Sequence, residues 1–357
     1  MRWRVTFFVR LAALNLLVVA ALLVVVEGVV SWFLVARDIV VLPWVAEPYT
    51  RYDADLGWVN KPNVNLQNMF GTGAWVRTNG QSFRNASDIA PAVAPGRCRV
   101  ICSGDSFTFG DGVDNDHTWC QQLAALDARI EPVNLGEGGY GADQAYLRYL
   151  RDARDLQHQV HVFAFIANDF VRMEEPTFLG FGKPVLAIDN GELVARNIPV
   201  PSLASKYPWL IAIPRALNAT RTGALVARAL RKYRPSALTP NQPQQQRDQR
   251  TRTIIRMMFA DLERVTGARG ATLVLLYQPV LYDLDTARPN PWTKFIEDTA
   301  RELRIPIVNV LDEMRSRNDT DDLFLKIGSA GGHYSNAGHA VAADALFKRL
   351  REMLPQQ

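Results

Sequence analysis

Four short stretches, far apart in the 357-residue chain, carry side chains that could do chemistry together. The first is Val100-Ile101-Cys102-Ser103-Gly104-Asp105-Ser106, a β-favouring apolar run broken by a glycine turn and followed at once by a serine. A strand ending in such a turn presents its next side chain at the carboxyl edge of a sheet, where open α/β folds keep their sites. Ser106 is therefore a candidate nucleophile, although Gly-Asp-Ser also suits a turn whose Asp or Ser caps a helix. The second stretch is Gly136-Glu137-Gly138-Gly139-Tyr140-Gly141, which follows the short run Glu131 to Leu135. No G-x-x-x-x-G-K-[ST] pattern is present, so it reads as a tight turn whose bare N–H groups can approach a ligand closely.

The third stretch is the near-continuous apolar run Gln159 to Ile166, typical of a central parallel strand, which ends at Ala167-Asn168-Asp169. An Asn at that end points amide donors into the same crevice as Ser106, and its bland role is that of a turn residue. The fourth is Gly331-Gly332-His333-Tyr334-Ser335-Asn336-Ala337-Gly338-His339. A loop imidazole there can fold back over the sheet edge. With a helix starting near Asn336, His333 lies on the loop and His339 in the first turn. His333 is thus read as chemically placed and His339 as structural.

Positioning these residues requires strands that end together. The pattern gives helices over His117 to Leu126 and Ala142 to Ala153, then a hairpin of Pro184 to Ile188 and Glu192 to Arg196 around Asp189-Asn190-Gly191. Helix Asp248 to Thr266, strand Ala271 to Tyr277, helix Pro291 to Leu303, strand Pro306 to Val310 and a final helix to Met353 follow. Alternating strand and helix implies a parallel sheet with right-handed crossovers, hence a three-layer α/β/α sandwich. Residues 36–96 are rich in turn formers and read as a loop-rich preface with short strands, Ala74 to Arg77 among them. An insertion spans about residues 175–247. Arg and Lys recur from Arg196 to Arg234 there, and Val226, Leu230 and Tyr233 form a helical stripe, so it could meet an anionic membrane surface or an acidic glycan, or simply be a solvated basic helix. Pro235 to Gln246 reads as a flexible connector.

At 48% hydrophobic and 21% charged the chain is globular, and a net charge of +4 without interleaved aromatics argues against nucleic acid as a partner. Three cysteines make no disulfide framework or zinc pattern, and Cys98, Cys102 and Cys120 read as buried unpaired thiols. Leu11 to Val26 is apolar apart from Asn15, and the apolar character resumes through Val35, which makes residues 11–35 a transmembrane anchor. Arg2, Arg4 and Arg10 precede it, so residues 1–10 stay in the cytoplasm and the bulk is exported to the periplasm or beyond.

Taken together, the four blocks resemble the SGNH (GDSL-type) hydrolase superfamily, in particular its bacterial membrane-anchored members, over about residues 97–354. The resemblance implies a flavodoxin-like three-layer domain and a serine esterase without metal or organic cofactor. Ser106 matches the nucleophile block, Gly139 the glycine, Asn168 the asparagine and His333 the histidine. It further implies Ser106 as nucleophile and His333 as general base then acid, with the Ser106 and Gly139 N–H groups and the Asn168 amide facing the oxyanion. Two positions depart from the pattern. The family's aspartate two or three residues before the histidine is replaced by Ala330 and Gly331, and the glycine two before the asparagine by Ile166. The acid's task is then left to a backbone carbonyl or to Asp321 or Asp322. An O-acyl group of an envelope glycan or lipid is the expected substrate class. An O-acyltransferase using the same serine and histidine, and a non-catalytic glycan-binding or assembly module, are the alternatives.

Overall fold

The computed structural model describes residues 2–40, 49–202, 206–207, 244–287, 290–317, 319–326 and 332–354. The chain divides into two compact units, Met1–Glu47 with Leu203–Asn241, and Pro48–Ser202 with Gln242–Gln357. The first unit contains helix α1 (Arg2–Val40), whose window Arg10–Val29 is long and apolar enough to cross a membrane. The expected helical stripe at Val226, Leu230 and Tyr233 lies outside the described residues.

The second unit opens on an antiparallel pair, β1 (Thr50–Asp53) and β2 (Gly57–Asn60), and a two-residue pair, β3 (Asn65–Leu66) and β4 (Val76–Arg77). Then come β5 (Cys98–Ser103), the single turn α2 (Ser106–Phe109), α3 (Trp119–Leu126), β6 (Ile130–Asn134) and α4 (Ala142–Asp152). They are followed by β7 (Val160–Phe165), α5 (Ala167–Arg172), the short pair β8 (Thr177–Phe178) and β9 (Phe181–Gly182), and the hairpin β10 (Val185–Asp189) and β11 (Glu192–Arg196). Asn190 and Gly191 both take positive φ at the tip of that hairpin, the mirror-image turn that right-twisted strands require. The chain continues through α6 (Gln244–Ala268), β12 (Thr272–Tyr277), α7 (Pro291–Leu303), β13 (Ile307–Asn309), α8 (Leu311–Arg315) and α9 (Asn336–Leu350). Helix α6 begins at Gln244, inside the stretch read as a connector, because the glutamine-rich run continues a helix rather than breaking one.

Five strands form the central parallel sheet in the order β13-β12-β7-β5-β6, with Cys102 opposite Val162 on one side and Asn134 on the other. Counting only these strands in chain order, this is the 2-1-3-4-5 order of doubly wound folds, whose crevice opens where the order reverses, between β5 and β7. One face packs Val100, Cys102, Val162, Ala164 and Val274 against Trp119 and Leu123 of α3 and Ala342, Ala345 and Leu346 of α9. The other face packs Phe163 and Phe165 edge-to-face and tilted against Phe259 of α6, with Phe170 of α5 and helix α4 beside them. Helices thus cover both sides of the sheet, giving the three-layer sandwich.

The cysteines correct the expectation of unpaired thiols. Cys102 and Cys120 are joined in a disulfide, and Cys98 alone is free and buried. Cys102 faces the layer occupied by α3, and the 18-residue excursion returns Cys120 to a Cα–Cα distance of 6.2 Å, within bridging range.

Candidate active site

Ser106 is placed by a turn that tolerates no larger residue. A Cβ on Gly104 would lie 2.2 Å from Thr108 Oγ1 and 2.7 Å from the Ala164 carbonyl oxygen. Asp105 caps α2 by accepting from the Phe107 N–H at 2.9 Å. Gly110 then closes the turn in a left-handed conformation, and the N–H groups of Gly110 and Asp111 both donate to the Ser106 carbonyl, at 2.8 and 3.0 Å. The Ser106 side chain is left at the carboxyl edge of β5, beside the crevice.

The glycine turn between β6 and α4 is propped from the preface. Trp58 on β2 donates its indole N–H to the Gly138 carbonyl at 2.9 Å, and the Tyr140 hydroxyl donates to the Trp58 carbonyl at 2.6 Å. Glu137, fully buried, accepts from the Asn60 N–H at 2.8 Å and pairs with buried Arg148 at 2.9 Å. Burial pushes the Glu137 carboxyl up to about 7 against the pull of Arg148. Gly139 holds φ at +71°, a conformation that favours glycine.

Asn168 stands in the first turn of α5, directly after β7, with its carboxamide exposed. The Tyr282 hydroxyl donates to Asn168 Oδ1 at 3.0 Å, which leaves the amide hydrogens for another acceptor. Arg172 on the same helix ties three of the blocks together. Its Nη1 lies 2.7 Å from Asp169 Oδ1, 3.3 Å from Asp105 Oδ2 and 2.9 Å from the Tyr140 carbonyl oxygen. Burial and the adjacent Asp105 hold the Asp169 carboxyl well above the usual range. The sequence offered no signal for this arginine, because the three blocks it braces meet only in the fold.

His333 arrives on the loop before α9. Its carbonyl accepts from the Leu325 N–H at 2.8 Å, and its ring lies against Phe107 with centroids 4.8 Å apart. Next to it, buried Tyr334 packs edge-on against Phe107 and donates to the Pro279 carbonyl at 2.8 Å. The result is a 2.8 Å contact between His333 Nε2 and Ser106 Oγ, across 227 residues of sequence. His339 is fully buried and uses Nδ1 to accept from the Trp119 N–H at 3.2 Å, as its structural reading requires.

Ala330 and Gly331 lie outside the described residues, and Asp321 and Asp322 are exposed, with Asp322 3.7 Å from Lys326. The carboxylate placed against the imidazole is one the sequence did not single out. Asp111 Oδ2 lies 3.8 Å from His333 Nε2. Among the described residues no cluster of His, Cys, Asp and Glu could hold a metal ion.

The family model of the GDSL-like lipase/acylhydrolase family matches residues 102–341, a span holding Ser106, Gly139, Asn168 and His333. The chain belongs to that family. As a GDSL-type acylhydrolase it is an ester hydrolase. Solved structures similar to it include the lipase/acylhydrolase from Enterococcus faecalis, at 12% identity and a TM-score of 0.40, covering 73% of this chain and 99% of that one. A member of the lipolytic protein G-D-S-L family from Veillonella parvula DSM 2008 is similar at 11% identity and a TM-score of 0.37, covering 70% of this chain and 97% of that one. Likenesses this distant assign no residue or substrate in this GDSL-type chain. No curated protein sequence gives a significant match.

Proposed function

We propose that the chain is a serine esterase, anchored in the cytoplasmic membrane by its N-terminal helix, that removes O-acyl groups from an envelope glycan or lipid outside that membrane. The observation that carries the chemistry is the 2.8 Å contact between Ser106 Oγ and His333 Nε2. A serine hydroxyl becomes a useful nucleophile when an imidazole within hydrogen-bond reach accepts its proton. Ser106 Oγ attacks the ester carbonyl carbon as its proton passes to Nε2. The N–H groups of Ser106 and Gly139 and the Asn168 amide face the developing oxyanion, each such donor contributing on the order of 3 kcal/mol. Collapse breaks the bond to the alcohol, which leaves with the proton from Nε2, and water then repeats the sequence on the acyl-enzyme.

Export is supported by the cationic residues before the helix and by the Cys102–Cys120 bond, since disulfides persist in oxidising compartments. In this reading residues 1–10 remain inside, 11–35 cross the membrane, 36–96 form the preface that props the glycine turn and 97–354 form the hydrolase domain. The purified protein is expected to label with a fluorophosphonate probe and to hydrolyse p-nitrophenyl acetate, and Ser106→Ala to do neither, a loss of roughly 10⁴-fold or more. A wild-type protein silent in both assays overturns the reading. Sugar acceptors that speed nitrophenol release while less acetate appears would instead assign transfer to a hydroxyl.

A further inference from the structure

The histidine loop brings no aspartate of its own at positions 330 and 331, yet a carboxylate stands beside the imidazole. It belongs to Asp111, and its position is set by the serine's own turn. The Asp111 N–H donates to the Ser106 carbonyl at 3.0 Å, immediately after the left-handed Gly110, so the carboxylate is carried on the backbone that carries Ser106 Oγ. Its Oδ2 lies 3.8 Å from His333 Nε2, and both side chains are largely buried, at 16% and 21% exposure. Its Oδ1 is buried with no hydrogen-bond partner among the described residues.

We infer that Asp111 is a positioning residue for His333, a fixed negative charge on the serine side of the ring that stabilises the imidazolium formed as Ser106 gives up its proton. This rests on the Ser106–His333 reading above. The groups facing Asp111 fit the role. Arg84 is buried beside it but spends Nη1 and Nη2 on the carbonyls of Phe109, Gly110 and Val113 and Nε on Asn115 Oδ1. The guanidinium therefore favours the ionised carboxylate through space without a hydrogen bond to it. Burial above all, with Asp105 adding to it, raises the Asp111 carboxyl above its usual range, while a protonated His333 and Arg84 pull it back toward ionisation. Attraction between Asp111 and the ring exists only once the ring is charged, so it acts on the transition state and not on the bound ester. An acid in the usual triad place, at Nδ1, also fixes the tautomer, and its loss costs about 10⁴-fold. Asp111 lies on the Nε2 side, so a smaller effect is expected.

The test is the steady-state kinetics of wild type, Asp111→Asn and Asp111→Glu on p-nitrophenyl acetate across pH 5–9, with thermal melts and fluorophosphonate labelling in parallel. Asp111→Asn keeps the shape and removes the charge. It is expected to lower kcat roughly 10–100-fold with KM unchanged, as for a single charge at about 4 Å in a partly screened site. Asp111→Glu restores part of the rate. A wild type that labels and turns over, with Asp111→Asn equal to it in kcat, overturns the inference alone. So does an Asp111→Glu as slow as Asp111→Asn, or a loss that follows a lowered melting temperature in both. A wild type that neither labels nor turns over overturns the inference together with the reading beneath it.

Discussion

Tyr282 decides which end of the Asn168 carboxamide is available. Its hydroxyl donates to the carboxamide oxygen at 3.0 Å, which leaves the nitrogen end to act as a donor. Removing the hydroxyl leaves Asn168 free to turn and keeps the aromatic body in place. Tyr282→Phe is therefore expected to lower kcat about 3–10-fold, as one neutral hydrogen bond of about 1 kcal/mol would, with little change in melting temperature. Stopped-assay kinetics on p-nitrophenyl acetate check this, and an unchanged kcat shows that the contact does not set the amide. Asn168 could be singled out from the sequence, since it follows a long apolar run. Its partner could not, because Tyr282 follows a different strand and comes within reach only because β12 pairs with β7.

At the scale of elements, the strand and helix order was legible because each central strand is a short apolar run bounded by turn residues, and β7 is buried along its whole length. The hairpin β1–β2 was not, since its few residues are split by Ala54 to Leu56 and look like loop until Trp58 is seen holding Gly138. Asp111 escaped for a related reason. Its neighbour is 222 residues away in sequence, and only the Gly110 closure turns it toward the imidazole. His339 shows how two elements are joined. On α9 it accepts from the first N–H of α3, a donor that no helical carbonyl can satisfy, and burial pushes its imidazole down to about 3. The sign follows from the lowered value. The neutral ring favours the fold above about pH 6.5, and that stability is lost as pH falls from 6.5 toward 3, on the order of 4–5 kcal/mol over the full range. Between pH 6.5 and 5 the raised Glu137 carboxyl gains stability with acid while His339 loses it, so the His339 share is read from the difference in urea unfolding between wild type and His339→Asn. His339→Asn keeps an acceptor near Nδ1 and cannot be protonated. It should start less stable and lose less over the same interval, and equal slopes for the two proteins would assign the acid sensitivity elsewhere.

For the molecule as a whole, the Cys102–Cys120 bond connects the location of the domain to its stability. The sequence put three thiols on one strand and one helix but could not say that α3 lies over the face Cys102 occupies, because helix placement is decided by the whole sheet. A crosslink over an 18-residue separation restricts the unfolded chain enough to stabilise the fold by about 3 kcal/mol. The bond joins the first strand of the crevice to the helix on which α9 packs, so reducing it loosens the layer behind Ser106 and His333. Protein taken from cells under non-reducing conditions is expected to yield one peptide pair joined through Cys102 and Cys120, with Cys98 alkylated only after denaturation. Its thermal midpoint should fall by several degrees in dithiothreitol. Three free thiols in that peptide map would place the domain in a reducing compartment. The cationic N-terminus and apolar helix would then need a topology that keeps the hydrolase inside, and an envelope ester would no longer be within its reach.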